Sequence, residues 1–111
     1  MNIFEEKRMT LQGDSRDAES AIELALIFAA MDNNTELGLD LISAGANLDL
    51  QDKDGDTALI FAAQENNTEL GLALISGGAN LDLQNNDGAT ALTWAAYKNN
   101  SELAIIALQL N

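Results

Sequence analysis

Asp52, Asp54 and Asp56 alternate around Gly55 in QDKDGDTALIFAAQENN (residues 51–67), and by type they are the residues best suited to chemistry. Carboxylates at alternate positions around a glycine resemble the start of a calcium loop. Setting Gly55 at the sixth loop position, however, puts Leu50 at the first and Phe61 at the twelfth, where carboxylates are required. The second copy of the stretch, QNNDGATALTWAAYKNN (84–100), puts Leu83 and Trp94 there. The same two ligands are missing both times. Both stretches are therefore read as solvated turns in which Gly55 and Gly88 serve backbone geometry. No metal and no cofactor is expected, and calcium should leave stability unchanged. For catalysis the chain offers neither Cys nor His, and its acids are spread along turns. No nucleophile with a base and no carboxylate pair in unlike environments emerges, so no catalytic residue is assigned and an enzyme is not expected.

Charge narrows the partners further. The 111 residues suit one small domain, and a 47% hydrophobic content with mean hydropathy of -0.05 indicates a folded chain. Of the net charge of -13, residues 1–16 contribute nothing, having three acids and three bases. Residues 17–111 hold fifteen acids against Lys53 and Lys98. That field repels phosphate backbones and anionic lipid, and it speeds encounter with basic proteins. Nucleic-acid and membrane binding are disfavoured. No apolar run approaches the roughly 20 residues of a spanning helix, and the first residues lack a secretory pattern. A cytoplasmic setting is expected, with which the absence of cysteine is compatible.

These residues must be positioned by a repeat. At a shift of 33 residues, FAA at 28–30 aligns with FAA at 61–63 and WAA at 94–96. NNTEL at 33–37 aligns with NNTEL at 66–70 and NNSEL at 99–103, and GANLDLQ at 45–51 with GANLDLQ at 78–84. Each copy predicts a turn, a short helix, a reversal, a second helix and an extended return. Thr57 is placed as N-cap of the first helix, with Leu59, Ala62 and Ala63 on one thin face suited to close stacking. Asn66 stands where the chain must reverse in a left-handed conformation, and Thr68 is expected to cap the second helix. That helix runs roughly from Glu69 to Ser76 and is closed by Gly77 and Gly78. Asn80 to Gln84 alternates with period two. Asn33, Asn66 and Asn99 also begin formal glycosylation sequons, but turn and cap chemistry explains all three.

The run D-x-D-G-D-T-A-L-I-F-A-A-x-x-N-N-T-E-L from Asp52 to Leu70, with G-A-N-L-D-L-Q from Gly78 to Gln84, resembles the ankyrin repeat. The resemblance covers about residues 17–111. It implies an all-α repeat solenoid of three helix-turn-helix repeats of 33 residues (about 17–53, 54–86 and 87–111) with short β-hairpin fingers. It also implies binding of protein partners through fingertips and the inner, concave helix face. Residues 1–16 are expected to be an N-terminal extension or a small capping helix ending at Gly13. The chain departs from the family pattern at Ala58 and Ala91, which replace Pro, and at Ile60 and Thr93, which replace His, leaving out the usual Thr-His network. Gly38 and Gly71 lie inside the second helices, where each costs about 1 kcal/mol relative to Ala, so close helix contact is the expected compensation. The first copy lacks the D-G-x-T opening and reads as a continuous amphipathic helix from about Ser15 through Leu26.

Finger and inner-helix positions that differ between copies are the partner-binding candidates: Glu23, Met31 and Asp32 in the first copy, then Lys53, Asp54, Asp56, Gln64 and Glu65, then Asn86, Asp87, Trp94, Tyr97 and Lys98. Aromatic anchors dominate interfaces, which singles out Trp94 and Tyr97. Phe28, Phe61 and Trp94, at equivalent positions, are either inter-repeat core or an aromatic ladder open to a ligand. In the last helix, Leu103, Ile106, Ala107 and Leu110 make one apolar face, and Ile105 with Leu108 widens it onto another. A terminal repeat ordinarily has a polar outer face, so either self-association through Ile105, Leu108 and Leu110 or a further element is expected. The leading function is a non-catalytic module whose acidic surface binds a basic protein, as an inhibitor or immunity-type protein would. The near-identical copies also suit an engineered or structural scaffold without a dedicated partner.

Overall fold

The computed structural model describes residues 16–110. Six helices follow in order: α1 Arg16–Met31, α2 Thr35–Ser43, α3 Ala58–Gln64, α4 Thr68–Ser76, α5 Ala91–Tyr97 and α6 Ser101–Leu110. They form antiparallel pairs α1/α2, α3/α4 and α5/α6. The first helices stack as α1, α3, α5 and the second as α2, α4, α6. Cohesion thus comes from neighbours in line, as expected of a repeat solenoid. The long α1 agrees with the continuous helix read for the first copy, while the expected capping helix ending at Gly13 lies outside the described residues.

Capping chemistry sets the boundaries. Thr57 and Thr90 accept from the amides of Ile60 and Thr93 and begin α3 and α5. In the third copy Thr93 also accepts from the Thr90 amide, closing a capping box where the family's His would stand. Asn33, Asn66 and Asn99 take positive φ values of 59°, 57° and 59°, which reverses the chain between helices. The second helices are capped by Asn34 and Asn67, whose Oδ1 atoms accept from Leu37 and Leu70. Thr68 is therefore the first helical residue rather than the cap expected of it, because the amide side chain one residue earlier already faces the open N–H groups. At the other end of α4 the Gly78 amide donates to Ile75 and the Ala79 amide to Leu74, a Schellman closure that uses the positive φ of Gly78.

The core is built of Leu and Ala from both helix rows, with Leu26, Ala30, Leu59, Ile60, Ala62, Leu70, Leu74, Ala95 and Leu103 buried. Each fully buried Leu contributes about 1.5–3 kcal/mol. The helical glycines have the expected reason: a Cβ on Gly38 would lie 2.7 Å from Leu70 Cδ1, and one on Gly71 would lie 2.8 Å from Leu103 Cδ2. Those leucines occupy the space the missing side chains leave.

Three expectations change. No strand occurs among the described residues, so the fingers are tight turns instead of β-hairpins. Asn80 to Gln84 is not extended throughout, because Asn80 Oδ1 captures the Asp82 amide at 2.9 Å and folds Leu81 and Asp82 into a turn. On α6, Leu103 and Ala107 face the core, but Leu110 is exposed together with Ile105 and Leu108, since no following helix covers them among the described residues.

Candidate protein-binding surface

The fingers are assembled from their own side chains. Asp52 Oδ1 accepts from the amides of Asp54 and Asp56, both at 2.9 Å, while the Asp52 amide donates to the Asp56 carbonyl. Asn85 repeats this one copy later, its Oδ1 accepting from Asp87 and Ala89 at 2.9 Å. A neutral amide thus makes the same turn that Asp52 makes. The Asp52, Asp54 and Asp56 oxygens lie within 4.8 Å of one another, and turn geometry alone accounts for the Asp52 carboxylate in that group.

Successive fingers are bonded together. The Asn86 amide donates to the Asp54 carbonyl at 2.9 Å, and its side chain donates to the Lys53 carbonyl at 3.1 Å. Asn85 Nδ2 donates to Asp56 Oδ1 at 2.9 Å, and Gln51 Nε2 bridges the carbonyls of Gly55 and Gln84. Gly55, at φ +80°, is held so close to the next finger that a Cβ would come within 2.9 Å of Asn85 Cα. Lys53, Asp54, Asn86 and Asp87 are therefore exposed groups on a tied backbone. Asp56 lies half-buried at the base of its finger. Burial raises its pKa above the ordinary 3.8, Asn85 counters that by donating a hydrogen bond, and the charges of Asp52, Asp54 and Asp87 raise it further.

The aromatic positions form a second patch. The repeat sets Phe28, Phe61 and Trp94 in one row of α1, α3 and α5, and Met31, Gln64 and Tyr97 in a row three residues on. Phe28 is exposed, and Phe61 and Trp94 are partly buried, so an inter-repeat core is the wrong description for Phe28. Trp94 and Tyr97 meet edge to face with ring centroids 5.7 Å apart, and Lys98 Nζ lies 6.0 Å from the Tyr97 ring centre. Both rings, with Thr93 and Ala89, line a cleft of about 210 Å³. Ala89 is the last residue of the second finger, so the cleft begins at the base of the turn that carries Asp87. Trp94 Nε1 is buried without a hydrogen-bond partner. Met31, Asp32 and Glu65 are exposed and Gln64 is half-buried at the ends of α1 and α3. Glu23, half-buried, instead lines a cavity of about 400 Å³ with Ile22 and the loop Ala44–Asn47.

Sequence reasoning missed the bonds that hold this surface in register. Asn67 Nδ2 donates to Asn33 Oδ1 and Thr35 Oγ1, both at 2.7 Å, while its Oδ1 caps α4. Asn100 Nδ2 likewise reaches Asn66 Oδ1 and Thr68 Oγ1 at 2.8 Å. The runs 66–68 and 99–101 thus each supply a left-handed reversal, a helix cap and a staple to the previous copy, while the run 33–35 supplies the reversal, the cap and the first pair of acceptors. The doubled Asn at the repeat period was the available signal.

A family model of ankyrin repeats in three copies matches residues 26–110. No curated protein matches the chain.

Proposed function

This chain belongs to the ankyrin repeat family, whose domains are typically non-catalytic and mediate protein–protein interaction, and we propose that its fingertips and aromatic cleft bind a basic protein. The observation that carries the reading is that Ala89, which closes the turn bearing Asp87, also lines the cleft of Trp94 and Tyr97. Acidic groups attract and orient a cationic surface, while the rings supply the apolar contact that holds it. The interlocked fingers lower the ordering cost of binding, because their backbone is already fixed. Met31, Asp32, Gln64, Glu65 and Lys98 extend this surface along the inner helices. An inhibitor or immunity-type protein that occludes a basic toxin or nuclease is the form of partnership we favour, in a cytoplasmic setting. No helix among the described residues is long and apolar enough to cross a membrane.

Affinity capture followed by titration tests the proposal. A partner bound by the native chain should be lost by Tyr97→Ala and by Asp54→Lys, and its affinity should fall steeply with salt. Binding that ignores salt and survives both substitutions would overturn it and leave the scaffold reading without a dedicated partner. Self-association through Ile105, Leu108 and Leu110 is a separate proposal, made specific below.

A further inference from the structure

The two ends of the described solenoid are the two halves of its internal interface. Inside the array an Asn amide enters a pair of acceptors on the preceding copy, and a Leu seats against a Gly there. At the N-terminal end, Asn34 has the same cap geometry as Asn67, accepting from the Leu37 amide at 3.2 Å, yet it is exposed and among the described residues has no preceding acceptors to enter. Leu37 is 41% exposed, whereas its equivalents Leu70 and Leu103 are 0% and 2% exposed. At the C-terminal end, Asn99 holds the same left-handed φ as Asn33 and Asn66. With Ser101, Ala95, Ala96, Asn100 and Ala104 it lines an open cleft of about 240 Å³. Beside it Leu108 is 63% exposed, against 8% for its equivalent Ile75, which has a following copy to cover it.

We propose that the protein associates head to tail with a second copy of itself, the Asn34 amide and Leu37 of one molecule entering the Asn99 and Ser101 cleft of the next. Donor meets acceptor as it does between the copies of one chain, and Leu37 covers the face that Ala104 and Leu108 leave open. A tail-to-tail pair would instead set acceptor against acceptor. The contact is heterologous, so molecules add in line and do not close as a two-fold dimer.

One residue weakens it. Ala104 occupies the place of Gly38 and Gly71, where a Cβ approaches the seated Leu to less than 3 Å. Leu37 must therefore seat less deeply against Ala104 than Leu70 does against Gly38. Association also adds like charge to like, Glu36 being set in line with Glu102 as the repeat already sets Glu69. Salt should strengthen it, the opposite of its effect on a basic partner.

Sedimentation equilibrium of the full chain tests this over a wide range of concentration and salt. The native chain should form in-line oligomers, and Ala104→Gly should tighten the contact about tenfold by removing the overlap. Asn34→Asp keeps the cap but removes the donor, and Leu108→Glu charges the receiving end. Each should be monomeric alone, while the mixture should form a one-to-one dimer through the one intact head and the one intact tail. Circular dichroism confirms that each variant is folded. A native chain that stays monomeric throughout, an Ala104→Gly variant no tighter than native, dimers of Asn34→Asp alone, or a mixture that remains monomeric would each overturn the proposal.

Discussion

Asn67→Asp and Asn34→Asp form a matched pair that isolates the energy of one inter-repeat staple. Both residues sit in the identical run NNTELGL, at 33–39 and 66–72, and both cap a nine-residue helix with nearly the same backbone angles. Asp caps as well as Asn and suits the positive end of the helix dipole, so Asn34→Asp should be neutral or slightly stabilising. At Asn67 the same change removes two donations of 2.7 Å in a buried site. The Thr35 hydroxyl can turn to donate to the new carboxylate and recover one of them. Asn33 Oδ1 is then left facing a negative charge. Losing one net hydrogen bond of about 1 kcal/mol and adding repulsion with desolvation gives a cost of about 2–3 kcal/mol. A domain of this size has roughly 5–14 kcal/mol in all, so Tm should fall by about 8–20 °C. Urea denaturation followed by far-ultraviolet circular dichroism at low protein concentration measures it, and the penalty should shrink in acid, where a protonated carboxyl donates again. Equal midpoints for the two variants would refute the staple and reduce Asn67 to a cap.

Three further outcomes are expected. Thr57→Ala should destabilise by about 1–2 kcal/mol, because it removes a buried hydroxyl that accepts from the Ile60 amide at 3.1 Å; thermal melting reads this directly. Trp94→Phe should keep stability within about 1 kcal/mol of native, since the lost ring area is offset by removal of a buried N–H without a partner, and Phe already stands at the equivalent positions 28 and 61; a chemical-denaturation midpoint checks it. Asp56→Asn should raise Tm slightly at neutral pH: a carboxyl whose folded pKa is raised destabilises the fold when ionised, in full above that folded pKa. The gain should shrink as pH falls through the raised value and disappear below the ordinary 3.8, where Asp56 is protonated in both states, and melting curves across that window show whether it does.

The repeat, its paired helices and the closures at Thr57, Asn66 and Gly78 were legible in the residues alone. Those features depend on residues within a few positions of one another: Thr57 bonds three residues on, Asn66 bends its own backbone, and Gly78 frees its own φ. Gly38 and Gly71 even announced close contact, though not that Leu70 and Leu103 make it. Stacking settled that Asn67 and not Thr68 caps the second helix, that this capping amide also staples one copy to the next, and that the fingers interlock by Asn85 and Asn86 without a strand among the described residues. It also left Leu37 and Leu108 exposed at the two ends of the described array. Such contacts join residues about 33 apart, and their partners are set by the spacing and rotation of stacked helices. A periodic sequence repeats the same letters at every copy, but each copy's burial depends on whether it has a neighbour on either side. Leu37 and Leu70 share one local sequence, but among the described residues only Leu70 has a second helix of a preceding copy beside it, and only Leu70 is buried.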